Sequence, residues 1–126
     1  MEESVSTSKT VEAMQDSLMT IAIEAWRFGK VFERALMKLD AGEQNRYAGQ
    51  LRWFIKKIEE SLAEVELRIV NVESHPFDPG IAATPLNIED FAAGDSLMVD
   101  QMLEPIIMGK DGLLKTGTVT LRKVES

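Results

Sequence analysis

The sequence contains no cysteine and a single histidine, His75, among its 126 residues. The absence of thiols excludes disulfides, thiol nucleophiles and zinc–thiolate centres, and one imidazole leaves little scope for histidine catalysis or metal ligation. No apolar run reaches the roughly 18 residues that a membrane helix needs. The N-terminus lacks the basic and apolar regions of a secretory signal. We therefore expect a cytoplasmic protein with no cofactor and no metal.

Positive charge is also scarce. Lysine and arginine number 14 against 21 aspartates and glutamates, which gives a net charge of −7. A protein that binds nucleic acid needs a basic face to neutralise phosphates, and docking on anionic lipid needs the same sign of charge. We expect neither a nucleic acid nor a membrane as a partner.

The apolar residues between positions 11 and 39 follow a strict three–four spacing, which is typical of a helix with a heptad stripe. The stripe consists of Val11, Met14, Leu18, Ile21, Ala25, Phe28, Phe32, Ala35 and Leu39. Five further apolar residues, Met19, Ala22, Ile23, Trp26 and Leu36, widen the apolar face beyond one seam. The helix therefore needs more than one packing partner.

A second stripe has the same spacing and predicts a second helix. Its members are Ala48, Leu51, Ile55, Ile58, Leu62, Val65, Ile69 and Val72. The connection contains Asp40 and Glu43 at the spacing of a helix capping box. A connection this short forces an antiparallel hairpin over residues 11–72, preceded by a frayed polar tail over residues 1–10.

A single hairpin leaves one apolar face in water, so two hairpins are expected to pair as a homodimeric four-helix bundle. The residues predicted to form the dimer interface are Leu18, Ile21, Phe28, Phe32, Leu51, Ile55, Ile58 and Leu62. The alternative is that the C-terminal half covers this face within one chain.

Residues 73–126 carry four basic and nine acidic side chains and change to a turn-rich pattern. Strands are predicted at 96–103, with Leu97, Val99 and Leu103 on one side, at 106–108 and at 116–124. The 109–112 segment with its Asp-Gly pair predicts a tight hairpin turn. The fold class is therefore α+β, with a small antiparallel β domain over 73–126 that is too small for an independent core and leans on the helices.

Few residues suggest a catalytic or metal-binding site. His75 precedes Pro76 in a turn and reads as structural, and the acidic residues between Glu73 and Asp111 read as a solvated face more readily than as a cation site. Trp26 and Trp53 lie off the strict seam and are either core residues or binding surface; core is the better interpretation. Met98, Met102 and Met108 suit either core or a protein-binding surface. These observations favour an interaction protein over an enzyme.

Three segments resemble the GrpE family, the nucleotide-exchange factors of DnaK-type chaperones. Residues 31–36 resemble a family element that ends in Arg-Ala-Leu, residues 51–70 are similar to its second bundle helix, and residues 76–79 match its Pro-Phe-Asp-Pro junction. Residues 94–97 and 110–119 fall at a strand opening and at the last hairpin of the family. The long paired helix that precedes the family's bundle is almost absent here.

The resemblance implies a homodimer in the chaperone and stress-response machinery that binds the ATPase domain of a DnaK-type chaperone and promotes ADP release. It implies that Leu103, Glu104, Ile106 and Lys115 face the partner; the alternative for Leu103 and Ile106 is β-domain core.

The sequence departs from the family at this surface. Residues 103–106 stand where the family has Gln-Lys-Gly-Tyr, and of the family's two paired arginine positions one is occupied by Lys115 and the other by Gly112. These departures favour a second hypothesis, a dimeric adaptor of GrpE-like fold without exchange activity. A third hypothesis is a carboxylate hydrolase that uses Asp78 or Asp100.

Overall fold

The computed structural model describes the backbone of residues 2–124 and the side chains of residues 7–124. Met1, in the predicted tail, and residues 125–126, at the end of the predicted β domain, lie outside the described residues. Over residues 2–124, two α-helices are followed by six strands in two three-stranded sheets, with a short 3-10 helix at Ile88–Asp90. The predicted α+β class is confirmed.

The two helices form the predicted hairpin. The first helix, α1 (Glu2–Leu36), already includes residues 2–10, where a frayed tail was predicted. The second helix, α2 (Ala41–Ala63), follows a short turn. Asp40 caps it, because its side-chain Oδ1 accepts a hydrogen bond from the Glu43 N–H at 2.9 Å. The capping role predicted for Asp40 is therefore confirmed.

The second helix ends at Ala63 and does not continue to Val72, so the predicted boundary was wrong. Glu66 adopts a left-handed backbone conformation with φ 62°, and the Leu67 N–H bonds back to the Leu62 carbonyl at 2.9 Å. This is the Schellman pattern of a helix end, and the buried Leu62 and Leu67 supply its usual apolar contact. The apolar spacing persists beyond the helix because the next buried residues belong to a strand.

Six strands make the rest of the fold: β1 (Arg68–Val70), β2 (Ala83–Pro85), β3 (Leu97–Glu104), β4 (Ile106–Gly109), β5 (Gly112–Lys115) and β6 (Gly117–Lys123). One sheet has the order β1-β4-β5 and is antiparallel. The other has the order β2-β6-β3, in which β2 runs parallel to β6. The predicted strands and the tight turn between β4 and β5 are confirmed, whereas β1 lies in the segment that was predicted to be helical.

The predicted alternation along β3 was wrong in its second half. Val99 and Met102 are fully buried, and Leu103 is only half-buried. The register against β6 shifts between Val99 and Gln101 and again between Met102 and Glu104. Each irregularity rotates the following side chains relative to the sheet, so the two-residue period ends there.

Helices and sheets share two apolar cores. One contains Trp26 of α1 together with strand residues such as Val99, Met102 and Val119. The other contains Met19, Ala22, Leu62, Leu67 and Ile107. The expectation that the β part leans on the helices is therefore confirmed. Over the described residues, neither helix is long and apolar enough to cross a membrane.

Candidate functional site

The contact line between the two helices runs through Gly29. A Cβ added to Gly29 would lie 3.3 Å from Leu51 Cδ1 and 3.8 Å from Ile55 Cδ1, so the helices approach closely at this point. Among the α1 side chains from residue 7 onward, those buried within the chain are Met19, Ala22, Trp26 and Leu36. All four belong to the residues that widen the apolar face, and none belongs to the strict heptad stripe.

The strict heptad stripe of α1 is largely uncovered. Val11, Met14, Ile21 and Phe28 are 58%, 61%, 59% and 63% exposed. The stripe residues Leu18, Ala25 and Phe32 are half-buried. An apolar stripe kept for several heptads and left in water is typical of an interaction surface.

Helical geometry places one exposed phenylalanine of each helix, Phe28 and Phe54, on the same side of the hairpin. Phe28 precedes Gly29 by one position, and Phe54 precedes Ile55 by one position. Viewed from one end of the hairpin, successive residues of two antiparallel helices rotate in opposite directions. A residue one position before the contact in α1 therefore lies on the same side of the hairpin as a residue one position before the contact in α2. Phe28 and the 39% exposed Phe54 therefore share one face.

The sheets occupy the opposite side. Lys30 and Arg52 each follow a contact residue by one position, and they line a cleft of about 320 Å³ together with Ile69 and Asn71 at the start of the β part. The hairpin thus has one face covered by the sheets and one open face. We define the open face as the set Val11, Met14, Leu18, Ile21, Phe28, Phe32, Phe54 and Ile58.

The eight residues predicted for the dimer interface divide between the open face, the contact between the helices and the second core. Ile21 and Phe28 are exposed on the open face, where the Phe28 and Phe32 rings stack with centroids 6.4 Å apart. Leu18, Phe32 and Ile58 are half-buried. Leu51 and Ile55 are also half-buried and lie beside Gly29, and Leu62 is 2% exposed in the second core.

The other notable constellation is the junction at which α1 holds the free edge of β3. The Trp26 indole N–H donates to the Met102 carbonyl at 2.7 Å. Glu73 Oε2 accepts from the Met102 N–H at 2.8 Å and from Lys30 Nζ. Both backbone groups of Met102 are therefore satisfied by side chains, which replaces the strand that this edge lacks.

The four residues that the GrpE resemblance assigned to the partner surface lie around the β3–β4 and β5–β6 connections. Leu103 is half-buried and Lys115 is exposed at the end of β5. Glu104 is half-buried, accepts from Thr118 Oγ1 at 2.7 Å and lies 3.7 Å from Arg27. Ile106 is 3% exposed and belongs to the first core, so its side chain points inward.

The remaining candidate residues, His75, Asp78 and Asp100, take part in backbone hydrogen bonds, a turn and a surface ion pair. His75 is exposed, and its backbone N–H and carbonyl bond to Val72 and Val99. Asp78 accepts from the Gly80 N–H at 2.7 Å within a turn, and Asp100 lies 3.8 Å from Arg122. Within residues 7–124, no three His, Asp or Glu side chains are grouped closely enough to hold a metal ion.

The two tryptophans differ in how deeply they are buried. Trp26 is 8% exposed and is a core residue, as the sequence indicated, whereas the core interpretation was wrong for Trp53, which is 60% exposed. Sequence reasoning did not find the role of Glu73 at the junction. No local motif marks that role, because its partners lie 43 and 29 positions away in the chain.

Comparisons of this chain with protein-family models, curated proteins and solved structures found no match.

Proposed function

We propose that this protein is a GrpE-like nucleotide-exchange factor that acts as a homodimer on the ATPase domain of a DnaK-type chaperone. The observation that carries the proposal is the open face of the hairpin, which lies opposite the sheets. A molecule with this arrangement can join a second copy through its helices and still present its β part to a different partner. The GrpE-like segments identified in the sequence supply the identity of that partner.

Dimerisation through the open face would bury the apolar stripe that one chain leaves in water. Two hairpins related by a two-fold axis form an isologous interface, in which each open face contacts its own copy. Phe28, Met14 and Ile21 contribute most, because they are the stripe residues left most exposed, at 63%, 61% and 59%. The product is a four-helix bundle with one β unit on each side.

The β surface around Leu103, Glu104 and Lys115 is the proposed contact with the chaperone. Ile106 supports this surface from beneath, since it is buried in the core. Exchange needs no chemistry from this protein. If the β surface binds the open nucleotide cleft more tightly than the closed cleft, linkage requires that ADP binds more weakly in the complex.

Stopped-flow release of labelled ADP from the cognate chaperone tests the exchange role. A coupling of about 1–3 kcal/mol corresponds to roughly 5- to 150-fold weaker ADP binding, and we expect accelerated release at saturating protein. Lys115→Glu should reduce the acceleration, whereas Lys123→Glu, an exposed change on β6, serves as the charge-matched control. No acceleration at saturation refutes the exchange role.

An adaptor of the same shape without exchange activity is the second candidate. The observation that favours it is the burial of Pro105 and Ile106, two of the four residues that stand where the family has Gln-Lys-Gly-Tyr. Those two positions contribute packing and leave a smaller polar surface for a chaperone. A dimer that binds the ATPase domain without changing ADP release, or does not bind it, supports this candidate.

A further inference from the structure

Segment 44–58, which forms most of α2, differs in charge from the rest of the chain. It contains Arg46, Arg52, Lys56 and Lys57 and no acidic residue, in a chain whose net charge is −7. Among the described residues, only Lys57 of these four has a carboxylate within salt-bridge distance, Glu60 at 3.5 Å. The other three make no direct ion pair among the described residues. Arg46 donates to the Tyr47 hydroxyl at 3.1 Å, and Arg52 lines the cleft beside the sheets, which Glu33, Glu59 and Glu73 also line.

Trp53 stands on the outer side of the same helix. It lies two positions from Ile55 at the helix contact, which is about 200° around the axis and nearly opposite that contact. Its ring is 60% exposed, and Lys57 Nζ lies 5.6 Å from the ring centroid. Trp and Arg are the side chains most enriched among the residues that dominate binding energy in protein interfaces.

Gly49 gives this surface its shape. A glycine inside a helix costs roughly 0.5–1 kcal/mol relative to alanine, and Gly29 has a packing reason that Gly49 lacks. A Cβ added at Gly49 would meet only Arg52 Nη2, at 3.7 Å, which is an ordinary contact. The missing side chain leaves a methyl-sized gap in the helix surface, bordered by the Arg52 guanidinium.

Helical spacing surrounds this gap with cations and one aromatic ring. Arg46 and Arg52 lie three positions before and after Gly49, Trp53 lies four positions after it, and Lys56 lies seven positions after it, all on the same face. We call this surface the Gly49 notch. It is distinct from the open face, so it stays accessible in the proposed dimer, and the inference does not rest on the exchange role.

We propose that the Gly49 notch is a docking site for an acidic protein segment that carries apolar side chains. Carboxylates of the segment pair with Arg46, Arg52 and Lys56, and an apolar side chain fills the notch against the Trp53 ring. Charge complementarity identifies the occupant, because the site is a cationic surface on an acidic molecule. A nucleic acid strand carries a charge on every nucleotide and would extend past these cations onto the acidic remainder of the chain, whereas a short acidic segment can end within the notch.

Fluorescence anisotropy with a short labelled peptide of alternating glutamate and leucine tests this proposal. The full-length chain should bind this peptide, and it should bind the same peptide with leucine replaced by serine, or glutamate by lysine, much more weakly. Trp53→Ala should weaken binding at least about tenfold. Arg34→Ala, which removes an exposed cation from α1, should leave the affinity within about twofold.

The Gly49→Ala variant distinguishes a loss of peptide binding from a loss of stability. Alanine is the better helix former, so the variant should be at least as stable as the wild type in thermal unfolding. Because the added methyl group fills the notch, the same variant should bind the peptide about fivefold more weakly.

Several results would overturn the proposal. One is the absence of peptide binding, and another is binding that Trp53→Ala and Gly49→Ala leave unchanged. Preferential binding of an oligothymidylate of the same length would assign the surface to nucleic acid instead. A Trp53→Ala chain that sediments at half the wild-type mass would assign it to the dimer interface.

Discussion

Trp26 connects the helical hairpin to the sheets through both its ring and its indole N–H. The ring is buried in the first core, and the N–H donates to the Met102 carbonyl at 2.7 Å. Lys30 Nζ lies 5.4 Å from the ring centroid on the same face of α1. One side chain thus supplies apolar burial, a buried hydrogen bond and a cation–π contact at the junction.

Trp26→Phe keeps much of the aromatic burial but removes the donor to the Met102 carbonyl. We expect a loss of about 1–3 kcal/mol in the free energy of unfolding, because a buried acceptor is left without its partner. Urea denaturation measures the loss. Trp53→Phe, on the exposed ring, should change stability by no more than about 0.5 kcal/mol. Equal losses in the two variants would contradict the role given to the indole N–H.

Glu66, three residues after the end of α2, adopts the left-handed conformation with φ 62°. A non-glycine residue there costs about 1–2 kcal/mol, and glycine loses about 0.5–1 kcal/mol in chain entropy. Glu66→Gly should therefore stabilise the protein by about 0.5 kcal/mol in thermal or urea unfolding. Glu64→Gly is the matched control and should destabilise, since Glu64 has an ordinary helical φ of −61°. Destabilisation by both changes would contradict this description of the helix end.

At the scale of elements, the free edge of β3 is covered by backbone in one half and by side chains in the other. Segment 74–77 bonds to Leu97 and Val99, whereas Glu73 and Trp26 bond to Met102. Glu73 is the centre of the second half, because its carboxylate joins Lys30 to the Met102 N–H. The edge is thereby protected from pairing with another chain.

Glu73→Ala should lower the free energy of unfolding by about 2–3 kcal/mol, since it removes a charged acceptor and leaves the partly buried Lys30 with only the longer 3.6 Å contact to Glu33 among the described carboxylates. Glu73→Gln should cost less, because an amide oxygen can still accept from the Met102 N–H. Hydrogen exchange at the Met102 amide should accelerate in Glu73→Ala. Asp100→Ala, from an exposed pair, should change stability by no more than about 1 kcal/mol. Slow exchange of the Met102 amide in Glu73→Ala would contradict this account.

The sequence predicted both helices, the Asp40 cap and the β4–β5 turn, because these depend on local spacing and local backbone preference. It did not predict which of two adjacent apolar stripes on α1 faces inward, since both fit the helical period. The predicted end of α2 was too late in the chain, because Ile69, within β1, and Val72, just after β1, continue the three–four spacing of apolar residues. The hydrogen bonds to Met102 depend on contacts between distant parts of the chain, and no local pattern carries them.

At the scale of the whole molecule, the hairpin carries different surfaces on different sides. The sheets cover one side, the open face lies on the other, and the Gly49 notch lies on the outer surface of α2. The proposed function uses the open face for a second copy and the β surface for a chaperone. A folded dimer of this kind should unfold at a temperature that rises with protein concentration, which calorimetry over a dilution series measures.

Sedimentation equilibrium at micromolar concentration tests the dimer most directly. The wild-type chain should have twice the 14.1 kDa mass of one copy. The double variant Ile21→Glu and Phe28→Glu should have the mass of one copy and keep its helical circular dichroism, because both side chains are exposed within the chain. Val31→Glu is the control, since Val31 is 55% exposed on α1 but lies off the stripe, and it should remain a dimer. A wild-type mass of one copy, or dissociation by Val31→Glu equal to that of the stripe variant, would contradict the account.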